Sequence, residues 1–262
     1  MMIGKFAGIL GLLAILTGCT TRQSAETLRP GAQVGRTFAA TLARDVRLQY
    51  LLYLPKDYAT ERGRKFPLVL FLHGAGERGT NLQKVAIHGP PKLVAAGRDF
   101  PFILASPQCP AGQVWDDEAL IRLVETLTST LRVDASRVHV TGLSMGGYGT
   151  WALISKRPEL FASAAPICGG GDRIRTLLLS PAQRDALKSL PVWVFHGGKD
   201  NVVPLSESER MIDQFKRAGV TDIQLTVYPE AGHDSWTESY NNPAFYEWML
   251  SKQRAPGSTA TR

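Results

Sequence analysis

Residues 138–147 read Val-His-Val-Thr-Gly-Leu-Ser-Met-Gly-Gly, an apolar run followed by a serine between glycines. The run at 138–141 has the length of a buried β-strand, and the residues after Ser144 have a helical pattern. A G-x-S-x-G pattern between a strand and a helix is typical of a sharp turn that exposes the serine hydroxyl. Gly142 and Gly146 suit such a turn because a Cβ there would strike the adjoining strand or helix. We therefore expect Ser144 to be a nucleophile.

Apolar runs on both sides of this turn predict an α/β fold with a mostly parallel central sheet. Buried strands are expected at 67–72, 102–105, 161–167, 192–195 and 223–228. Helical segments alternate with them at 117–131, 145–155, 206–218 and 244–250. This alternation predicts helices on both faces of the sheet, and two strand-like runs at 37–43 and 47–54 predict an antiparallel N-terminal hairpin. We expect one catalytic domain over residues 37–253.

The N-terminus has the pattern of a targeting segment. Lys5 precedes an apolar stretch at 6–16, which ends in Leu16-Thr17-Gly18-Cys19 and resembles a bacterial lipobox. This resemblance implies a lipoprotein signal peptide over residues 1–18, cleavage before Cys19 and a lipid anchor on Cys19. An ordinary signal peptide with a chance cysteine is the alternative.

The residues beside the anchor predict where the protein is held. Thr20, rather than an aspartate, follows Cys19, which resembles the pattern sorted to the outer membrane. We therefore expect a lipid-anchored protein of the bacterial cell envelope, on the periplasmic face of the outer membrane. Polar residues with Pro and Gly at 19–36 predict a flexible tether, and 254–262 predict a loose tail.

The net charge of +7 raises the question of a nucleic-acid partner. The basic residues are scattered singly, and aromatic residues do not alternate with them. A nucleic-acid interface needs a dense basic patch, so we expect no nucleic-acid partner.

A serine nucleophile needs a base and an acid that orients the base. His233 follows the last predicted strand, and it alone of the five histidines fits the chain order serine, acid, histidine. Asp200 follows the strand at 192–195 and is the expected acid. Asp172, which follows the strand at 161–167, is its rival. The other four histidines are expected to pack within a strand or to support loops: His73, His88, His139 and His196.

An oxyanion formed by attack on a carbonyl needs backbone N–H donors. One is expected from Met145, the residue after the nucleophile. The other is expected from the glycine-rich loop after the strand at 67–72, where Ala75 is the first candidate and Gly76 the second.

Four segments are similar to those of one group of α/β-hydrolases, the "predicted peptidase" or phospholipase/carboxylesterase-like group. They are 73–79 (His-Gly-Ala-Gly-Glu-Arg-Gly), 106–110 together with Trp115, 142–147, and 232–236 (Gly-His-Asp-Ser-Trp). This group is similar to polyhydroxybutyrate depolymerases and feruloyl esterases. The resemblance implies the α/β-hydrolase fold, a Ser-His-Asp triad and hydrolysis of a small-molecule ester without a metal ion or organic cofactor.

The resemblance also places Trp115 and Trp236 near the site, where they could stack on an aromatic or sugar group or simply pack beneath loops. Ester substrates with short-chain or aryl, feruloyl-type groups are expected. The alternatives are a serine peptidase that acts on short peptides and a non-catalytic lipoprotein that binds envelope partners. Whether Cys109 and Cys168 form a disulfide is left open by their spacing.

Overall fold

A computed structural model of the chain describes residues 30–41 and 45–254. The predicted signal peptide, Cys19 and the first part of the predicted tether lie outside the described residues, as do 255–262. The expectations of a lipid anchor and an envelope location therefore stay predictions. Within the described part of the chain, no helix is long and apolar enough to cross a membrane.

In the described part of the chain, eight strands form a single sheet in the order β1-β2-β4-β3-β5-β6-β7-β8. Their bounds are β1 Gln33–Thr41, β2 Asp45–Tyr53, β3 Phe66–Leu72, β4 Ile103–Pro107, β5 Val133–Leu143, β6 Ser163–Ile167, β7 Val192–Gly197 and β8 Ile223–Tyr228. β1 pairs antiparallel with β2, and β2 pairs antiparallel with β4. All other neighbours are parallel. The predicted mostly parallel sheet with an antiparallel N-terminal hairpin is confirmed.

Seven α-helices accompany the sheet within residues 30–41 and 45–254. Their bounds are α1 Gly89–Ala95, α2 Asp117–Thr130, α3 Met145–Lys156, α4 Pro181–Lys188, α5 Leu205–Arg217, α6 Trp236–Asn241 and α7 Pro243–Ser251. Short 3-10 turns lie between them, including Ala75–Glu77 after β3 and Arg173–Leu178 after β6. Helices α1, α4 and α6 were not expected from the sequence, because each is short and α1 begins in a Gly-Pro-Pro stretch that is typical of a loop.

Two apolar cores cover the two faces of the sheet. Alternate residues of β3 point to opposite faces, so Leu68, Leu70 and Leu72 join one core while Val69 and Phe71 join the other. Side chains of α2, α3, α4 and α5 complete the first core, and those of α1, α6 and α7 complete the second. Burial of each such side chain contributes about 1.5–3 kcal/mol, so the two cores hold the strand ends in fixed positions.

Two domain boundaries differ from the expected ones. β1 begins at Gln33, so the last residues of the segment assigned to a tether are strand, where Gln33 pairs with Tyr53 and Val34 packs against the first core. The expected domain start at residue 37 was therefore four residues late. Arg254, expected to belong to the tail, is tied to the body because its N–H donates to the Ser136 carbonyl at 2.8 Å.

Candidate active site

Ser144 lies on the turn between β5 and α3, at the carboxyl edge of the parallel strands. Its φ of 52° is unusual for a residue with a side chain, as expected for a strained turn that exposes a hydroxyl. The turn is held because the Ser144 N–H donates to the Ile167 carbonyl at 2.9 Å. A Cβ on Gly146 would lie well inside 3.0 Å of the Leu72 carbonyl oxygen, so only glycine fits there.

The structure brings the three expected triad residues together from three loops. The Nδ1 atom of His233 lies 2.7 Å from Asp200 Oδ2, and its Nε2 lies 2.9 Å from Ser144 Oγ. A carboxylate can only accept, so Nδ1 carries the hydrogen and donates it to Asp200. Nε2 is then free to accept the hydroxyl proton of Ser144, which is the arrangement a serine nucleophile requires.

Asp200 lies where the orienting acid is expected, and its side chain is fully buried. Burial by itself would raise the pKa of Asp200. Hydrogen bonds from the His233 ring and from the backbone N–H groups of Val203 and Val202 outweigh burial and lower this pKa below its ordinary value. Asp200 is thus held as a carboxylate. The rival Asp172 is exposed and accepts from the Ile174 N–H at 3.1 Å in its own loop.

The loop after β3 holds the other candidate oxyanion donors. Ala75 and Gly76 lie in the 3-10 turn Ala75–Glu77, and Met145 begins α3 directly after Ser144. The end of β3 packs against the start of α3, since a Cβ on Gly146 would also lie 2.8 Å from the His73 carbonyl oxygen. The first turn of α3 and the end of β3 therefore meet beside Ser144.

The buried His73 ring forms hydrogen bonds that hold this loop in place. Its Nδ1 lies 2.6 Å from the Gly74 carbonyl oxygen, and its Nε2 accepts from the Cys109 N–H at 2.9 Å. Burial, with a smaller contribution from Arg78, lowers the pKa of His73 to about 4 although the Gly74 hydrogen bond opposes this. A neutral ring can donate on one side and accept on the other, so His73 supports the loop as expected from its position after β3.

A cavity of about 490 Å³ opens beside Ser144. Its apolar wall contains Val114, Trp115, Met145 and Ala152, and the ring of Tyr148 also lines it. Three charged residues line it as well: Asp117, Asp172 and Arg175. Neither Asp117 nor Arg175 was expected from the sequence, because their positions are far apart in the chain and neither belongs to a motif.

The two expected pocket tryptophans have different surroundings. Trp115 lines the cavity, and its Nε1–H donates to the His73 carbonyl at 3.2 Å. Trp236 is not among the residues that line this cavity. Its ring packs edge-on to the His233 ring at 5.3 Å and to the His88 ring at 5.4 Å. Trp236 therefore packs against the His233 ring rather than lining this cavity.

Cys168 lies directly beneath the triad at the end of β6. Ligand atoms of Cys168, Asp200 and His233 lie within 4.8 Å of one another, which is close enough for a shared metal ion. The thiol is fully buried, and burial raises its pKa to about 12, so a metal-binding thiolate is disfavoured. The pairing of Asp200 with His233 also uses the ligand atoms a metal would need.

Cys109 and Cys168 are both free, so they form no disulfide.

Two family models match the chain. The dienelactone hydrolase family matches residues 109–248, and a family described as "Putative esterase" matches residues 40–170. The two matches overlap over the Ser144 turn, and together they extend from β1 to α7.

Curated relatives include proteins that are named as a dipeptidyl peptidase and as a depolymerase. Dipeptidyl peptidase family member 1 of Caenorhabditis elegans is 25% identical over 215 residues, which cover 70% of this chain and 27% of the relative. Poly(3-hydroxyalkanoate) depolymerase C of Paucimonas lemoignei is 31% identical over 131 residues, which cover 44% of this chain and 30% of the relative. The chain thus matches less than a third of the length of either protein.

Solved structures show the same fold. A thermostable esterase superposes with a TM-score of 0.69 and 33% identity, covering 85% of this chain and 63% of that one. A ferulic acid esterase superposes with a TM-score of 0.60 and 19% identity, covering 83% of this chain and 96% of that one. The expected likeness to depolymerases and feruloyl esterases is confirmed at the level of the fold. The model of the dienelactone hydrolase family matches more than half of the 262 residues, and the chain therefore belongs to this family of α/β-hydrolases.

Proposed function

We propose that the protein is a serine hydrolase that cleaves carboxylic esters through an acyl-enzyme on Ser144. The observation that carries this proposal is the unbroken hydrogen-bond path from Asp200 through His233 to Ser144, at the mouth of a cavity. A serine hydroxyl is a poor nucleophile unless a base is within hydrogen-bond reach. Here the base is within reach, and a buried carboxylate fixes its orientation.

In the first half of the proposed reaction, His233 Nε2 takes the hydroxyl proton as Ser144 Oγ attacks the ester carbonyl. The imidazolium that forms is stabilised by Asp200, which stays ionised. The carbonyl oxygen becomes an oxyanion beside the N-terminus of α3. Donors there are the N–H groups of Met145 and Ala75, with Gly76 as the alternative to Ala75. Each such donor typically contributes about 3 kcal/mol to the transition state.

In the second half, protonated His233 gives its proton to the leaving alkoxide, and the carbon–oxygen bond of the ester breaks. The alcohol departs and leaves an acyl group on Ser144. Water then attacks the acyl carbonyl while His233 takes a proton from it. Collapse of the second oxyanion releases the acid and restores the Ser144 hydroxyl with the returned proton.

The cavity favours compact ester groups, either short-chain or aryl. Trp115 and Tyr148 present rings to it, and ring faces suit an aromatic group such as a feruloyl unit. Its volume of about 490 Å³ is in the usual range for small-molecule sites. The relatives that are named as esterases agree with this substrate class.

A serine peptidase acting on short peptides is the second candidate. The similarity to the dipeptidyl peptidase of C. elegans supports it, because it extends over 215 residues. A matched ester and amide of the same acyl group separate the two functions. Turnover of the amide at a rate near that of the ester would favour the peptidase. A purely binding role is disfavoured because all three triad side chains are in working geometry.

The test is hydrolysis of p-nitrophenyl esters from acetate to laurate, and of methyl ferulate, by the native protein and by Ser144→Ala. We expect short-chain or ferulate ester turnover, reduced roughly 10 000-fold in the variant. Ser129→Ala is the matched control, since the Ser129 hydroxyl is exposed and bonds only to the Thr126 carbonyl at 2.9 Å. Near-native activity of folded Ser144→Ala, or no labelling of the native protein by a fluorophosphonate, would contradict the proposal.

A further inference from the structure

A second buried histidine lies beside the acid of the proposed triad. His196 belongs to β7 and precedes Asp200 by four positions, and both side chains are fully buried. The Nε2 atom of His196 lies 2.8 Å from the Val203 carbonyl oxygen and 3.3 Å from Asp200 Oδ2. A carbonyl oxygen and a carboxylate oxygen can only accept, so Nε2 carries a hydrogen. The ring therefore turns a positive N–H edge toward the acid.

This N–H edge bears on both oxygens of the carboxylate. Asp200 Oδ1 accepts from the backbone N–H groups of Val202 and Val203, each at 2.9 Å, and Oδ2 lies 2.7 Å from His233 Nδ1. Because His196 donates to the Val203 carbonyl, it fixes the same turn that supplies the donors to Oδ1. Oδ2, which accepts from His233, lies directly against the His196 ring. The orientation of His233 therefore depends on His196 through Asp200.

The other ring nitrogen connects His196 to the segments around Ser144. Nδ1 lies 2.7 Å from the hydroxyl oxygen of Ser208 in α5, and that oxygen lies 3.0 Å from the Gly169 carbonyl oxygen. Gly169 packs against the first turn of α3, since a Cβ on Gly147 would lie 3.0 Å from the Gly169 Cα. Ser208 is fully buried, which strengthens these polar contacts. The ring is thus held on both sides, by the turn that follows β7 and by α5.

We propose that His196 is a positioning residue of the reaction: it holds Asp200 so that His233 presents Nε2 to Ser144. This inference rests on the proposed serine-hydrolase function and adds a fourth side chain to the group that aligns its base. His196 does not line the cavity that opens beside Ser144. Its effect should therefore fall on the rate of attack by Ser144 rather than on substrate binding.

Two substitutions of similar shape isolate the N–H group at Nε2. Glutamine can place an amide N–H close to the position of Nε2, whereas methionine has a similar length and no donor. His196→Met is therefore compared with His196→Gln. His139 provides the matched controls His139→Met and His139→Gln. It is also fully buried in a strand, and its Nδ1 lies 2.8 Å from the hydroxyl oxygen of Ser163 in β6.

Two rates are measured on proteins whose folding is checked by circular dichroism: hydrolysis of p-nitrophenyl acetate and labelling of Ser144 by a fluorophosphonate. In His196→Met we expect kcat and the labelling rate to fall about 10- to 100-fold, since misplacing a catalytic group by about 1 Å can cost about 100-fold. KM should stay within about threefold of the native value. His196→Gln should recover both rates to within about fivefold of the native protein. Both His139 variants should keep native rates.

The outcomes separate this inference from the proposed function. Native rates in folded His196→Met overturn the inference and leave the hydrolase intact, as does a change in KM alone. Losses in His196→Gln as large as those in His196→Met also overturn it, because the N–H donor would then not matter. Losses as large in His139→Met overturn it as well. Absence of both hydrolysis and labelling in the folded native protein overturns the proposed function, and the inference with it.

If His196→Met does not fold, Ser208→Ala gives the decision. It removes the partner of His196 Nδ1 without changing the ring, and both rates should fall about three- to tenfold. Ser163→Ala is its control, because it removes the corresponding hydroxyl from His139 and should leave both rates unchanged. Equal rates in these two serine variants overturn the inference.

Discussion

The loops that carry the triad and the segment that follows β6 differ in how they are attached to the fold. Asp200 has a fully buried side chain with three hydrogen-bond donors, and Ser144 is fixed by its neighbours on β3 and β6. The segment 171–180 instead exposes three apolar side chains, Ile174, Leu177 and Leu178, at 56%, 66% and 76%. It is tied down by a few polar contacts, among them Arg175 to Asp117 and Gln214 to Thr176.

Because of this difference, the proposed triad and the residues that would select the substrate lie on separate parts of the fold. The proposed reacting groups follow the carboxyl ends of β5, β7 and β8, and the two apolar cores fix those ends. The segment 171–180 contributes Gly171, Asp172 and Arg175 to the cavity wall and adds no triad residue. Substitutions in the wall can therefore alter preference among esters while leaving the catalytic geometry in place.

The largest effect is expected for Gly146→Ala. The new methyl group would lie well inside 3.0 Å of the Leu72 carbonyl oxygen and 2.8 Å from the His73 carbonyl oxygen, and these backbone atoms cannot move without shifting β3. We expect loss of esterase activity together with a large fall in Tm, measured by calorimetry and ester turnover.

Gly63→Ala is the control for this substitution. A Cβ there has nothing within 4 Å, so its Tm should differ little from that of the native protein. A stable, active Gly146→Ala protein would show that the turn is more adaptable than its contacts indicate.

Asp200→Asn should have the next largest effect. An asparagine amide cannot stabilise the imidazolium and favours the wrong tautomer of His233, so kcat should fall roughly 1000- to 10 000-fold. KM should change little, since Asp200 does not line the cavity. A loss of less than tenfold would mean that another group orients His233.

The same variant has a pH signature. The pKa of Asp200 is lowered in the folded protein, so its contribution to stability is present above the ordinary carboxyl pKa and is lost as pH falls through the lowered value. The difference in Tm between the native protein and Asp200→Asn should therefore narrow as the solution is made acidic. A difference that stays constant with pH would contradict the assignment of a lowered pKa.

The smallest effect is expected for Gln214→Ala. Its Nε2–H donates to Thr176 Oγ1 at 2.7 Å and links α5 to the segment 171–180. Loss of one such bond costs about 1 kcal/mol, so KM should rise a few-fold with kcat nearly unchanged. Gln253→Ala removes a comparable bond to Ser136 at 2.8 Å, remote from the cavity, and should leave KM unchanged. A fall in kcat equal to that of Asp200→Asn would show that the segment also positions the triad.

The parts that were predictable from the sequence are those with a local pattern. β8 was expected at 223–228 and is Ile223–Tyr228, because an apolar run between turn residues defines a strand without knowledge of its partners. Ser144, Asp200 and His233 each follow a strand, and parallel strands bring such positions to one edge of the sheet. Their convergence therefore followed from order along the chain.

The parts that were missed depend on contacts between remote segments. Asp117 and Arg175 are 58 positions apart, and no local pattern indicates that they pair. The start of β1 was missed because the polar residues Gln33 and Arg36, both half-buried, interrupt the apolar pattern of this edge strand. The place of Cys168 was predictable, because it directly follows β6 and therefore lies at the same edge of the sheet as the triad.

The buried thiols of Cys109 and Cys168 can be used to measure local opening of the fold, because each becomes reactive only when it is exposed. Both thiols are buried, and burial raises the pKa of Cys109 to about 11 and that of Cys168 to about 12, so reaction with alkylating reagents is disfavoured in the folded protein. The rate of Cys168 alkylation would report how often the structure around the triad opens. The rate of Cys109 alkylation would report how often the segment that donates to His73 opens. The two modified peptides differ in mass, so one labelling series gives the rates of local opening at both positions around the site.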